Sequence, residues 1–358
     1  MGGQLISNAV MCLTMGDVIL RYSVYYFLLC IFFLLIMGCS NNNDLPVLKG
    51  EYLGQTPPGE IPELFAPKIV SSEYWEHSGA VFTPDGKELF WTRAINEGRE
   101  PRVVVIVHMK QINGVWTKPE LAPFNIFPYS HINSISPDGK NLFFFSENGG
   151  AWIVDKTKNG WGIPHKLELN NSDEEGRHIN EVHKTKNGNL YFYGPLEKMK
   201  SGRGIVCSKL VNGIYKEYES LGSNINFPFN IPYPNHSPIV DPEENFIIFV
   251  SRRPGGYGDQ DLYISFRQPN DSWGTAINLG EEINTVGRGN SWPQLSPDGK
   301  FLFFTSYINT YSEKELKENK YSYDELIEFQ KSINNGWGNI YWVSTSFIDV
   351  LRYKGTNN

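Results

Sequence analysis

One pattern recurs five times in this chain, and it constrains the fold more than any other feature. Each copy reads as an apolar strand, a turn of the Pro-Asp-Gly type and an aromatic-rich strand. The copies are HSGAVFTPDGKELFW (77–91), HINSISPDGKNLFFF (131–145), HINEVHKTKNGNLYFY (178–193), HSPIVDPEENFIIFV (236–250) and SWPQLSPDGKFLFFT (291–305). Their starts lie about 50 residues apart, which is the length of a four-stranded propeller blade.

The turn residues explain why each copy is a hairpin. Proline presets φ at the first turn position, aspartate bonds back to the backbone, and glycine takes the left-handed position. A third apolar strand follows every hairpin. A fourth follows in four copies, opened by Trp116, Trp161, Tyr215 and Trp273. Copies three and four then continue as LG-x-x-IN (221–226 and 279–284), which indicates a shared corner structure.

The two ends of the repeat region indicate how the ring closes. After Ile348 little chain remains for a fourth strand in the last copy, whereas residues 64–72 look like an outer strand without a blade. We expect this segment to complete the last blade of a five-bladed all-β propeller. Six blades stay open as an alternative if Gly50 to Glu60 supply further strands.

The last copy is interrupted by a polar stretch at residues 311–334. Ser312 with Glu315, and Ser322 with Glu325, both match the capping-box pattern that starts a helix. The stretch therefore predicts a short helical insertion, with one or two helices, between the second and third strands of that blade.

The first forty residues are typical of an export signal. An almost continuous apolar run, Tyr22 to Gly38, follows Arg21 and ends at Ile36-Met37-Gly38-Cys39. This arrangement is typical of a secretory signal, and its end resembles the bacterial lipobox. The resemblance implies cleavage before Cys39 and a lipid on its sulfur. The alternative is a single transmembrane anchor, since the run is long enough to span a bilayer.

These features divide the chain into a signal peptide (1–38), a lipidated Cys39 with a tether (39–60), a propeller (61–351) and a tail (352–358). After cleavage the cysteines are Cys39 and Cys207, so no internal disulfide is available. The net charge of −7 argues against nucleic acid as a partner, because phosphate binding needs a basic face. We expect the chain in the bacterial cell envelope, at the outer membrane or on the periplasmic face, held by its N-terminal lipid.

The repeats resemble the WD40-like PD40 repeats of TolB-type propellers, which are bacterial envelope proteins. The resemblance covers roughly residues 60–350, and GGYGDQDLYISFRQPNDSWGTAINLGEEINT (255–285) carries it best. It implies a closed ring of four-stranded blades. It does not imply one activity, because propellers host many functions.

A histidine stands at the start of the first strand in four copies, where the fifth has Asn290-Ser291. These histidines are His77, His131, His178 and His236. Equivalent positions point at one axis, and converging neutral imidazoles can bind a divalent metal. In the alternative interpretation, the histidine belongs to the repeat itself and bonds to the backbone of a neighbouring blade.

Aromatic and basic residues accompany these histidines at the predicted channel mouth. The aromatic candidates are Trp75, Tyr129, Tyr233 and Trp292, and the basic ones are Arg93, Arg252 and Arg253. Aromatic faces with polar neighbours suit sugars, and guanidinium groups suit carboxylate or phosphate. The alternatives are packing between blades and ordinary solvated charge. The sequence contains no S-x-D-x-G-x-x-W Asp box, G-x-S-x-G, P-loop, H-E-x-x-H or C-x-x-C motif.

The sequence thus favours a non-catalytic envelope module that binds a protein or a glycan. The alternative is a propeller enzyme acting on glycans, either a metal-dependent polysaccharide lyase or a glycoside hydrolase that uses the histidine-rich mouth. A third hypothesis is a structural role in complex assembly, with the 311–334 insertion as the docking element. The orientation of the histidines separates the first two, because an enzyme needs them at one accessible site.

Overall fold

The computed structural model describes residues 46–96, 102–146, 149–169, 179–196, 202–227, 234–285, 289–318 and 320–356. The chain divides into two compact units, Met1–Pro46 and Val47–Asn358, and the strands of the described residues belong to the second. The predicted signal peptide and Cys39 lie outside the described residues. Within the described residues, no helix is long and apolar enough to cross a membrane.

The second unit is a ring of five antiparallel sheets. Strand β1 (Glu63–Leu64) comes first in the chain and belongs to the last sheet. Blade one contains β2 (Trp75–Glu76), β3 (Val81–Phe82), β4 (Glu88–Ala94), β5 (Val104–Ile112), β6 (Val115–Trp116) and β7 (Glu120–Leu121). Blade two contains β8 (Ser130–Ile135), β9 (Asn141–Ser146), β10 (Ala151–Thr157), β11 (Gly160–Trp161) and β12 (His165–Lys166).

The remaining blades repeat this order. Blade three contains β13 (Asn180–Lys184), β14 (Leu190–Pro195), β15 (Arg203–Ser208) and β18 (Glu219–Ser220), with the hairpin of β16 (Leu210–Val211) and β17 (Ile214–Tyr215) beside it. Blade four contains β19 (Asn235–Val240), β20 (Phe246–Ser251), β21 (Asp261–Phe266) and β22 (Ile277–Asn278). Blade five contains β23 (Asn290–Leu295), β24 (Phe301–Ser306), β25 (Asn339–Ser344) and β1.

Ring closure follows the prediction, with one shift along the chain. Strand β1 pairs with β25, so the start of the propeller supplies the fourth strand of blade five. The pairing covers Glu63 and Leu64 and ends with the Phe65 N–H bond to Ile340, so it does not extend over 64–72. Pro67 offers no N–H for a ladder. Gly50 to Glu60 adds a 3₁₀ helix, Glu51–Gly54, and no strand, so the ring has five blades.

Apolar side chains fill the spaces between neighbouring blades, because both faces of each blade are covered. Phe90, Ile106 and Phe144 are fully buried between blades one and two. Where blade five meets blade one, the Phe65 ring lies 5.0 Å from Phe303 of blade five and 6.1 Å from Phe82 of blade one. This explains the aromatic-rich second strands, which pack against a neighbour on each side.

The insertion in blade five is helical, as predicted, and lies between β24 and β25. It contains α1 (Glu313–Lys317) and α2 (Tyr323–Gln330). Ser322 caps α2, and the Glu325 side chain bonds back to the Ser322 N–H, which completes a capping box. A third helix, α3 (Phe347–Thr356), follows the last strand.

The LG-x-x-IN corners hold the third strands of blades three and four. Asn226 accepts from the Ile205 N–H and donates to the Ile205 carbonyl, each at 2.7 Å. Asn284 makes the same pair of bonds to Leu262. The shared sequence therefore encodes a shared backbone clamp.

Candidate binding site at the channel mouth

The pairing of first and second strands shows which residue of each innermost strand is equivalent to His131. His131 lies opposite Phe145, His236 opposite Val250, and Ser291 opposite Thr305. The His77 N–H bonds to the Thr92 carbonyl, which occupies the same place in blade one. Asn180 lies opposite Tyr193, so blade three presents an asparagine at the histidine position.

The repeated His-Ile-Asn tripeptide conceals this difference. His131 and His178 each begin that tripeptide, but the blade-three turn shifts the register so that Asn180 corresponds to His131. His178 and Tyr233 lie outside the described residues. The histidine set of the described mouth is therefore His77, His131 and His236.

A β-bulge follows the histidine position in blades two to five. In three blades the next residue has a left-handed backbone, with φ of 58° at Glu181, 48° at Ser237 and 54° at Trp292. Such a conformation costs about 1–3 kcal/mol for a residue other than glycine, and it concentrates at functional positions. The strain turns these three residues out of the regular strand pattern.

Trp292 is where the predicted histidines meet. Its ring centroid lies 4.2 Å from His131, 5.5 Å from His77 and 6.4 Å from His236. These residues come from blades five, two, one and four, so the indole reaches across the channel. His77 and His131 also contact each other edge to face at 5.0 Å. The indole thus stands among the imidazoles.

Below Trp292, blade five closes the channel with a second contact. Gln294 Nε2 donates to the Asn133 carbonyl of blade two at 2.7 Å. Gly79 of blade one makes room for this crossing, because a Cβ there would lie 2.5 Å from the Trp292 carbonyl and 2.8 Å from Gln294 Cγ. We call Trp292, Gln294 and Gly79 the channel plug.

Burial keeps the histidines of the mouth neutral. It lowers the pKa of His131 to about 3 and that of His236 to about 4, and it holds the pKa of His77 well below its usual range. His131 Nδ1 lies 2.9 Å from the Ile132 carbonyl, so this nitrogen carries the proton. Among the described residues, no three His, Cys, Asp or Glu side chains are arranged to hold a metal ion.

Two buried carboxylates near the mouth, Glu76 and Glu181, both accept hydrogen bonds. Glu76 is fully buried, accepts from Ser72 and Arg93 at 2.9 Å each, and accepts from Asn339 of blade five at 3.0 Å. Glu181 accepts from the Ser237 N–H of blade four. Burial raises the pKa of each to about 7. Their contacts join neighbouring blades.

An aromatic surface borders Trp292. Trp75 stacks on Trp337 at 5.5 Å with 19° between the planes, and Trp75 also lies 4.4 Å from His77. Arg102 lies over both Trp75, at 5.9 Å, and Tyr129, at 5.3 Å. Trp75, Trp292, Trp337 and Tyr129 are all partly exposed. We call the site formed by these four residues with His77 the upper mouth.

The predicted arginines lie in three different settings. Arg93 bonds to Glu76 and to the Val70 carbonyl, where blades one and five meet. Arg253 packs 4.8 Å from the Tyr263 ring and donates to the Ile225 carbonyl between blades three and four. Arg252 pairs with Asp259 at 3.5 Å and lowers the His236 pKa through its charge. Arg93 and Arg253 are thus held by contacts between blades.

The candidates named from the sequence do not include Trp337 or Arg102. Trp337 follows the helical insertion and precedes β25, so it stands outside the repeat pattern that identified the other candidates. Arg102 lies just before β5, at the corresponding place in blade one. Their position in the sequence could have identified them, because each lies two residues before the third strand of its blade.

Comparisons with known proteins give matches among solved structures only. No protein-family model matches the sequence, and no curated protein is significantly similar to it. Among solved structures, a Dyadobacter fermentans protein of unknown function shares 14% identity, with 69% of this chain and 79% of that chain covered and a TM-score of 0.40. The GH43 endo-arabinanase from Bacillus licheniformis shares 10%, with coverage of 81% and 96% and a TM-score of 0.40.

An oligogalacturonate lyase from Vibrio parahaemolyticus is also similar, at 12% identity, with 76% of this chain and 66% of that chain covered and a TM-score of 0.35. These identities and TM-scores are too low to transfer an activity. The assignment of a five-bladed propeller rests on the strand pairing itself.

Proposed function

We propose that this chain is a cell-envelope lipoprotein whose PD40-type, TolB-like propeller binds a glycan at the upper mouth without cleaving it. The lipobox-like Ile36-Met37-Gly38-Cys39 supports the anchor on Cys39. The five-bladed ring supports the binding module, because its blades surround a central channel and the upper mouth lies at one end of that channel.

The stacked Trp75 and Trp337 pair is the observation that carries the glycan assignment. Partly exposed aromatic faces bury the apolar faces of a sugar ring, while a few polar groups fix its orientation. Arg102 borders the pair, and His77 lies beside it as a neutral polar group. This combination favours a polar ligand with apolar faces over a flat apolar one.

The chemistry of the mouth favours binding over cleavage. Glycosidases need two carboxylates with defined roles at the scissile bond. Glu76 and Glu181 instead accept hydrogen bonds from neighbouring blades, from Asn339 and from the Ser237 N–H respectively. Trp292 stands among the three described histidines, which is a packing arrangement for an indole and three neutral rings.

Affinity electrophoresis tests the proposed binding. The full-length chain, purified in detergent, would be run through gels containing arabinan, xylan, alginate or polygalacturonate. We expect retardation by at least one of them, and we expect Trp75→Ala to weaken binding by about tenfold, the loss of roughly 1.4 kcal/mol of stacking. Tyr353→Ala is the matched control, because Tyr353 is an exposed aromatic residue on α3. No retardation in any gel, or equal retardation of the Trp75→Ala variant, would contradict the assignment.

The anchor has its own test. Cys39→Ser removes the sulfur that a lipid would use, so we expect the variant to leave the membrane fraction and to lose incorporation of labelled fatty acid. An unchanged membrane fraction with no incorporated label in the natural chain would indicate a transmembrane anchor instead.

A further inference from the structure

The channel has a second opening at the other end of the innermost strands, between the turns that join first and second strands. A cavity of about 410 Å³ lies there. Every blade contributes to its wall, and α3 contributes Ile348, Asp349 and Arg352. The turn residues that line it are Pro84, Pro137, Lys186, Pro242 and Pro297. We call this the lower cavity. Its volume lies within the range of small-molecule sites, roughly 300–1,000 Å³.

The channel plug separates the lower cavity from the upper mouth. Gln294 bonds across the channel to Asn133, and Ser134 Oγ donates to the Val182 carbonyl at 2.6 Å. Trp292, two residues before Gln294, contacts the histidines on the other side. A ligand in the lower cavity therefore meets residues that the upper mouth does not use.

Two polar side chains in the cavity wall have bonding capacity left. His183 is only 9% exposed, and its ring makes no hydrogen bond or ion pair with any residue of the described chain. Burial lowers its pKa to about 3, so the ring is neutral and offers one donor and one acceptor. Gln294 uses Nε2 in the plug, whereas its Oε1 accepts no hydrogen bond from the described residues.

Neither group is fully buried without a partner, so each can bond to water in the cavity or to a ligand that replaces this water. A ligand with hydroxyl groups would satisfy both: a hydroxyl donates to Gln294 Oε1, and another exchanges a bond with His183. This requirement excludes a purely apolar ligand.

Cations and carboxylates both line the cavity, and one of the cations has no acidic partner among the described residues. Three cationic side chains and two carboxylates line the cavity, namely Lys184, Lys186 and Arg352 with Asp241 and Asp349. Lys186 is paired with Glu243, and Asp241 accepts from Asn245. Lys184 bonds only to the neutral Asn141 Oδ1, at 2.9 Å, and has no acidic partner within the described chain. His183 and Lys184 are neighbours in β13 with side chains on opposite faces of the strand, and both line the cavity.

We propose that the lower cavity is a second ligand site, which binds a small hydroxycarboxylate anion. Its carboxylate pairs with Lys184, and its hydroxyl groups bond to His183 and Gln294. This site goes beyond the proposed glycan binding, because it lies on the other side of the plug and uses none of the residues of the upper mouth.

Titration calorimetry on the full-length chain in detergent tests the proposal, with D-gluconate and D-glucuronate as probes at millimolar concentration. D-glucose is the neutral match for D-glucuronate, since the two differ in having a hydroxymethyl group or a carboxylate. We expect at least one acid to bind, and D-glucuronate to bind about tenfold more tightly than D-glucose, as for a charge-assisted hydrogen bond. We expect Lys184→Met to remove that preference.

Two variants keep the result interpretable. Lys140→Met is the matched control, because Lys140 is an exposed turn lysine of blade two that pairs with Asp138 and does not line the cavity. Trp75→Ala alters the upper mouth only. We expect both variants to keep the acid preference. The proposal is overturned if neither acid binds, if Lys184→Met keeps the preference, or if Trp75→Ala removes it. Failure of glycan retardation alone would overturn the proposed function and leave this site standing.

Discussion

At the upper mouth the innermost strands begin, and at the lower cavity the same strands end in their hairpin turns. The upper mouth is aromatic: Trp75, Trp337 and Trp292 supply flat faces, and its histidines pack against rings. The lower cavity carries the turn prolines with an open His183 and Lys184. One repeat thus makes two surfaces, since the side chains of a strand differ at its two ends while its backbone is shared.

The channel plug is what keeps these regions distinct, and it depends on departures from the repeat. Trp292 occupies a position where other blades have the smaller Ser78, Ile132, Glu181 or Ser237, and it shares the left-handed backbone of Glu181 and Ser237.

Trp292→Ala should have the largest effect. The indole packs against His77, His131 and Phe145, and its loss leaves a cavity worth about 2–4 kcal/mol of unfolding free energy. Denaturant unfolding of the full-length chain measures this. A variant as stable as the natural chain would show that the indole does not hold the channel together.

Gly79→Ala should have the second-largest effect. We expect it to lower the free energy of unfolding by about 1–3 kcal/mol, because the new methyl group overlaps the Trp292 carbonyl and the Gln294 side chain. Gly86→Ala is the comparison for crowding, since a Cβ at Gly86 meets nothing within 4 Å and only its left-handed φ of 67° opposes the change. If Gly79→Ala costs nothing in the same unfolding assay, blade five does not cross as closely as described.

The buried histidines should make both regions sensitive to acid. Burial lowers the pKa of His131 and of His183 to about 3 from 6.5, so the unfolded chain takes up protons first and stability falls as the pH drops below 6.5. His131→Gln and His183→Gln should each reduce this fall by about 1 kcal/mol or more. Unfolding midpoints across that pH range measure it, and unchanged slopes in both variants would contradict the burial of the two rings.

Glu181 should change the pH dependence of stability in the opposite direction, and by the smallest amount. Its pKa is raised to about 7 from 4.5, so the folded chain takes up the proton first and gains stability as the pH falls from 7 towards 4.5. Glu181→Gln should flatten stability across this window by about 1 kcal/mol. The same midpoints measure it, and a slope equal to that of the natural chain would show that folding does not raise the pKa of Glu181.

The repeats were enough to predict the ring, because the turn residues and aromatic strands carry local signals that recur. The helical insertion was equally visible in the capping box of Ser322 and Glu325. The site was harder to predict. The His-Ile-Asn tripeptide placed His178 where the register has Asn180, since a shift in one turn is invisible in the spacing of letters. Trp337 lies outside the repeats, and His183 lies inside copy three but away from its first position, so only the closed ring brings them to a mouth or a cavity.

The most direct test of the account is a crystal structure of the chain with an oligosaccharide from whichever polysaccharide retards it. We expect an intact sugar chain with one ring stacked on the Trp75 and Trp337 pair, above an unmoved Trp292. A sugar bound elsewhere, or a cleaved chain in the upper mouth, would contradict the claim that this propeller binds glycan there without catalysis.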